Sequence, residues 1–112
     1  MNEFHGIILY EIERNGNLNG VYTNNHPFTN SRIFTETATL RGEVSFEGEI
    51  ETRIYDCFYF DAVDGATNCT LIFRIINGIY QGQWIFDNGD VIFIGEGFQM
   101  NDRQIAISYW LP

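Results

Sequence analysis

Few side chains in this sequence can carry chemistry, and they are scattered. The two histidines, His5 and His26, and the two cysteines, Cys57 and Cys69, do not stand at the short spacings by which one loop or strand presents metal ligands. Neither a phosphate-cradling glycine loop nor a nucleophile elbow occurs. A carboxylate pair such as Asp56 with Asp61 could serve acid–base chemistry, but 15 acidic residues in 112 make such pairs inevitable. The sequence therefore predicts a non-enzymatic binding protein, with no metal and no cofactor.

Two groups of residues could do the binding. Glu43, Glu47, Glu49 and Glu51 alternate along one stretch at about 6.8 Å per two residues, with Glu36 expected beside them. Such a row imitates the phosphates of a nucleic acid strand and suits a basic groove on a partner protein. A solvated edge strand guarded by charge has the same pattern. The second group is aromatic, with polar residues at a strand exit in LNGVYTNNHPF (18–28). Tyr22, Asn24, Asn25 and His26 there could line the mouth of a barrel, or simply form a turn.

The elements that must position these groups are strands. Aromatic residues make up 16% of the chain and prolines number 2, while no segment shows the 3.6-residue period of a helix over a useful length. One domain, 1–112, is expected, large enough to bury roughly two-thirds of its unfolded surface. No apolar run is long enough for a transmembrane helix. The start, MNEFHGIILYEIERN, has an acid before the apolar run and no small-residue cleavage site, so it predicts no signal peptide and a cytoplasmic address. A net charge of −9, with arginine as the sole basic residue type beside histidine, disfavours direct binding to nucleic acid or to anionic membrane.

Registers follow from the turns. Asn88-Gly89 predicts a two-residue type I′ hairpin that sets Phe86 against Val91, Trp84 against Phe93, Gly82 against Gly95 and Tyr80 against Gly97. Asn77-Gly78 sets Ile75 against Tyr80, Phe73 against Gly82, Leu71 against Trp84 and Cys69 against Phe86. A turn at Asn101-Asp102 sets Phe93, Gly95 and Gly97 against Trp110, Ser108 and Ala106. Together these place Cys69, Leu71, Phe73, Ile75, Tyr80, Trp84, Phe86, Val91, Phe93 and Trp110 on one inner face. The glycines among them permit strong twist, let rings lie across them, or leave room for a ligand.

Upstream, Asn15-Gly16 joins strand 4–13 to strand 18–24, another strand covers 32–40, and 43–56 alternates as a single strand. A turn at Asp64-Gly65-Ala66-Thr67 would place Cys57 about 13 Å from the position facing Cys69, beyond the 7 Å or so that a disulfide spans. About nine consecutive strands predict an all-β, antiparallel up-and-down meander closed, or nearly closed, into a barrel, with a two-sheet sandwich as the alternative. The outer face of the second half should carry Ile72, Ile76, Ile79, Ile85, Ile92, Ile94, Phe98, Ile105, Ile107 and Tyr109, which predicts a homodimer.

The stretch Leu18-Asn19-Gly20-Val21-Tyr22-Thr23-Asn24 resembles the first strand of avidin-type barrels, whose pattern is Leu-x-Gly-x-Trp-x-Asn, with tyrosine here in place of tryptophan. In that family the region contributes polar groups to the ligand pocket. The resemblance thus points to Tyr22 and Asn24.

The leading expectation is a barrel that holds a small, partly planar ligand between Tyr22, Asn24, Tyr80, Trp84, Phe93 and Trp110. Its rival is an acidic protein inhibitor, of the immunity-protein or phage anti-defence kind such as an anti-CRISPR, that occupies a partner's basic, nucleic-acid-binding surface through Glu43, Glu47, Glu49 and Glu51.

Overall fold

A computed structural model describes residues 3–29, 32–61, 63 and 65–112. Nine strands run in order: β1 (His5–Ile12), β2 (Leu18–Asn24), β3 (Phe34–Leu40), β4 (Ser45–Glu47), β5 (Ile50–Asp61), β6 (Gly65–Ile76), β7 (Ile79–Ile85), β8 (Val91–Asn101) and β9 (Gln104–Trp110). No helix occurs among the described residues. All pairings are antiparallel, mostly between consecutive strands, and β1 with β9 and β3 with β5 close the ring. The result is an eight-stranded barrel plus one extra strand, as the meander predicts. The extra strand, β4, occupies the stretch of the β5 edge that β3 leaves open, because β3 ends opposite Tyr55 and β4 covers Ile50–Thr52.

Alternation drives this closure. In β6 the residues Cys69, Leu71, Phe73 and Ile75 are buried while Arg74 and Ile76 are exposed, and in β2 Leu18, Gly20 and Tyr22 are buried. The expected pairs Leu71 with Trp84, Phe73 with Gly82, Ile75 with Tyr80, Trp84 with Phe93 and Gly82 with Gly95 all form. Rings cover the two paired glycines. A Cβ on Gly82 would stand 3.0 Å from Phe73 Cε1, and one on Gly95 would stand 3.1 Å from Trp84 Cζ3. No ligand space opens beside them.

The two Asn-Gly turns differ. Asn77 and Gly78 both take positive φ, 52° and 77°, and make the two-residue hairpin that was expected. At Asn88-Gly89 only the glycine does so. There Gly89 N–H donates to Phe86 O and Phe86 N–H to Asp90 O, each at 2.9 Å, leaving a three-residue loop. The ladder consequently slips between Trp84 and Ile85, Ile85 faces Val91, and Phe86 lies outside, 39% exposed.

The last hairpin also differs from expectation. The Asn101 side chain accepts from Arg103 N–H at 2.9 Å, so Asn101 opens the turn instead of standing at its centre. With an irregularity between Gln99 and Asn101, Gly95 faces Tyr109 and Gly97 faces Ile107. This one-residue shift turns β9 over. Ile105, Ile107 and Tyr109 are buried, whereas Trp110 points outward. Burying two isoleucines and a tyrosine outweighs burying alanine, serine and tryptophan. The apolar outer face that predicted a homodimer thereby loses three members and keeps Ile76, Ile79 and Phe98 exposed.

Two further expectations are corrected. The stretch 43–56 is not one strand: Gly48, at φ 61°, turns the chain so that Glu47 faces Ile50 and Phe46 faces Glu51. Asp61 faces Gly65, so the next turn comes earlier than expected; Asp64, placed in it from the sequence, lies outside the described residues. Cys57 therefore stands directly opposite Cys69. Both thiols are buried and free.

The interior has two halves. At the end formed by the β6–β7 and β8–β9 turns it is filled, with Phe73 packed edge-on against Tyr10, Tyr55 and Tyr80 at centroid distances of 5.9, 5.7 and 5.3 Å. At the opposite end, formed by the β2–β3 loop and the β5–β6 and β7–β8 turns, it is hollow. No helix among the described residues is long and apolar enough to cross a membrane.

Candidate functional site at the hollow end

The floor of the hollow is a buried carboxylate. Glu36 on β3 is 5% exposed and shares its inward parity with Ala38, while Thr35, Thr37 and Thr39 face out. Glu36 faces Gly20 on β2, and Gly20 faces Tyr10 on β1. A Cβ on Gly20 would stand 2.9 Å from Tyr10 Cδ1, so the ring crosses the bare backbone and its hydroxyl donates to Glu36 Oε2. Trp84 Nε1–H comes from the far wall and lies 3.2 and 3.3 Å from the two carboxylate oxygens. Burial pushes the Glu36 carboxyl up to about 7, against the pull of hydrogen bonds from Tyr10, Trp84 and the Cys57 thiol.

The same construction recurs at the rim. Tyr109 on β9 faces Gly6 on β1, which faces Asn24 on β2. A Cβ on Gly6 would meet Tyr109 Cζ at 2.3 Å, and beyond that glycine Asn24 Nδ2–H donates to the Tyr109 hydroxyl at 3.0 Å. Each tyrosine thus reaches over a glycine to a polar side chain two strands away. Burial holds the Tyr109 hydroxyl up at about 12, so it stays protonated and fixes the amide.

Between floor and rim lies a cavity of about 270 Å³. Its walls are Tyr22, Tyr59, Trp84, Phe93, Tyr109 and Phe4, with Asn24, His26, Thr29 and Asp61 among the polar lining. The rings brace one another: Phe93 and Tyr109 sit 5.5 Å apart edge-on, Trp84 and Tyr109 5.8 Å, and Phe4 stacks on Phe93 at 5.6 Å. The mouth loop is shaped by its own polar groups. Asn24 Oδ1 accepts from His26 N–H at 3.1 Å, and Asn25 Oδ1 accepts from His5 N–H at 3.0 Å.

Of the six residues expected around a ligand, Tyr22, Asn24, Trp84 and Phe93 line the cavity. Tyr80 sits in the filled half, its hydroxyl 3.1 Å from Gln99 Oε1. Trp110 is carried outward by the β9 register and borders a shallow outer groove with His5 and Leu111. Glu36, Tyr59 and Tyr109 were missed. The parity of Phe34, Ala38 and Leu40 was the available signal for Glu36, which was instead expected beside the glutamate row.

That row does not form. Glu43 precedes β4, Glu47 lies on it, Glu49 occupies the turn after it, and Glu51 on β5 pairs with Arg53. Among the described residues no three His, Cys, Asp or Glu side chains gather as a metal site. Comparison with protein-family models, curated proteins and solved structures finds no match. Fold and site define the class instead: a closed eight-stranded antiparallel barrel, solid at one end and hollow at the other.

Proposed function

We infer that the protein is a non-enzymatic binding protein that takes a small, partly planar ligand into the hollow end of its barrel. The observation that carries this reading is the aromatic cavity of about 270 Å³ floored by a buried carboxylate that Tyr10 and Trp84 hold in place. Apolar walls with a few fixed polar groups are the usual composition of a ligand pocket. The volume lies near the small end of such pockets, which start at about 300 Å³, and so suits one or two rings and not a lipid chain. Tyr22 and Asn24, the positions named by the avidin-type resemblance, both line it.

The test uses Trp84 as reporter in a Trp110→Phe background, where it is the one remaining tryptophan of two. Planar metabolites are screened by thermal shift and fluorescence. Ligands should raise the melting temperature and alter emission together, and Phe93→Ala, which opens a wall, should abolish both effects in a folded protein. If no planar compound at millimolar concentration moves either signal, the reading fails.

A further inference from the structure

We propose that the hollow end selects cations, specifically an aromatic ring bearing a protonated amine, whose ammonium group meets Glu36 while its ring lies among Phe93, Tyr109 and Trp84. This rests on the pocket reading above and names its ligand class. The first argument is the unfilled capacity of the floor. A carboxylate accepts about four hydrogen bonds, and Tyr10, Trp84 and the Cys57 thiol supply three donors. The remaining acceptor capacity adjoins the cavity that Glu36 lines. An ionised acid in a low-dielectric site gains most from a charged donor.

The walls argue the same way. Ring faces attract cations through their quadrupoles, and this cavity presents several rings with no arginine among its lining residues. Arg41 is held by Asp56, Arg53 by Glu51, and Arg32 lies 5.1 Å over the Phe34 ring. Asp61 adds a second acid to the lining. A carboxylate or phosphate ligand would meet two acids at the site and a net charge of −9 on the chain.

A dependence on pH follows. The groups packed around Glu36 are Tyr10 on β1, Tyr22 on β2, Cys57 and Tyr59 on β5, and Tyr109 on β9; burial raises the tyrosines, and the hydrogen bond with Cys69 together with burial raises Cys57, so all stay neutral between pH 6 and 8. Asp61 and His26 are the other ionisable lining groups. Glu36 itself changes charge near pH 7. A ligand that requires its ionised form should bind about tenfold more weakly at pH 6 than at pH 8.

The experiment compares three probes of one shape by calorimetry: phenethylammonium, 2-phenylethanol and phenylacetate. Phenethylammonium should bind at least tenfold more tightly than either other probe at pH 8 and should weaken about tenfold at pH 6. Glu36→Gln, which preserves shape, should remove both the preference and the pH dependence, while His26→Gln should keep the pH dependence. Equal or tighter binding of the alcohol or the acid overturns the cation inference and leaves the pocket reading standing. Failure of all three probes, with planar neutral compounds binding in the wider screen, also overturns it. If nothing binds in either experiment, the pocket reading itself falls.

Discussion

The hydroxyl of Tyr10 and the carboxylate of Glu36 are hydrogen-bonded across the strand that separates them, over the bare backbone of Gly20. The bond is charge-assisted when Glu36 is ionised and ordinary when it is protonated. Tyr10→Phe should therefore cost about 1–3 kcal/mol at pH 8 and less at pH 5. Urea unfolding at the two pH values checks this. Equal losses would mean that Tyr10 contributes only its ring.

Glu36 contributes most to the stability of the barrel under mild acid. Its folded pKa is raised from 4.5 to about 7, so the folded state binds the proton more tightly than the unfolded one. The stabilisation this gives is complete below the unfolded value and is lost as pH rises to about 7, roughly 3 kcal/mol in all. Glu36→Gln should flatten the stability profile between pH 4.5 and 7 and make the variant more stable than the parent at pH 8. A parent profile that rises over that interval would contradict the assignment.

The glycines of β8 are required by close approach. A Cβ on Gly97 would stand 1.9 Å from the Ala106 carbonyl oxygen, and one on Gly95 would stand 2.8 Å from the Ser108 oxygen. Backbone cannot yield as a side chain does. Gly97→Ala should destabilise by about 3 kcal/mol or prevent folding and Gly95→Ala by about 1–3 kcal/mol, as thermal denaturation would reveal. A neutral Gly97→Ala would show that β9 can move.

Cys57 and Cys69 are directly opposed and buried. The hydrogen bond with Cys69 and then burial push the Cys57 thiol up, and both residues are buried, so alkylating reagents should not touch the native protein and should label both residues in denaturant. Opposed residues in an antiparallel pair lie about 4.5–5.5 Å apart, within disulfide range. A small oxidant should then join them within one chain, seen by mass spectrometry as the loss of two hydrogens. Intermolecular dimers alone would refute that pairing.

Much of the barrel was legible because alternation and turn chemistry are local. Leu71, Phe73, Ile75, Tyr80 and Trp84 announce their face by parity, and the Asn77-Gly78 turn fixes their partners. The errors arose where a single side chain moves a turn by one residue. Asn101 can stand at the start or the centre of its turn, and that choice decides whether Tyr109 or Trp110 enters the core. Asn88-Gly89 likewise looks identical to Asn77-Gly78 until the loop length is known. Of the residues lining the cavity, Tyr22, Asn24, Trp84 and Phe93 were expected from the sequence. Glu36 was hidden because a glutamate on a strand reads as a surface residue, and what makes it a floor is Tyr10 reaching over Gly20 from two strands away.

Closing a barrel leaves no unpaired edge, but β4 reintroduces one. Among the described residues it pairs with β5 on one side and with no strand on the other, and it carries Phe46 at 70% exposure. Such an edge is a template on which another chain could extend the sheet, and charge is the usual guard against it. Glu43, Glu47 and Glu49 flank that edge. They read best as gatekeepers against self-assembly: replacing all three with glutamine should leave the melting temperature nearly unchanged while light scattering rises at high concentration, as folded chains begin to join edge to edge.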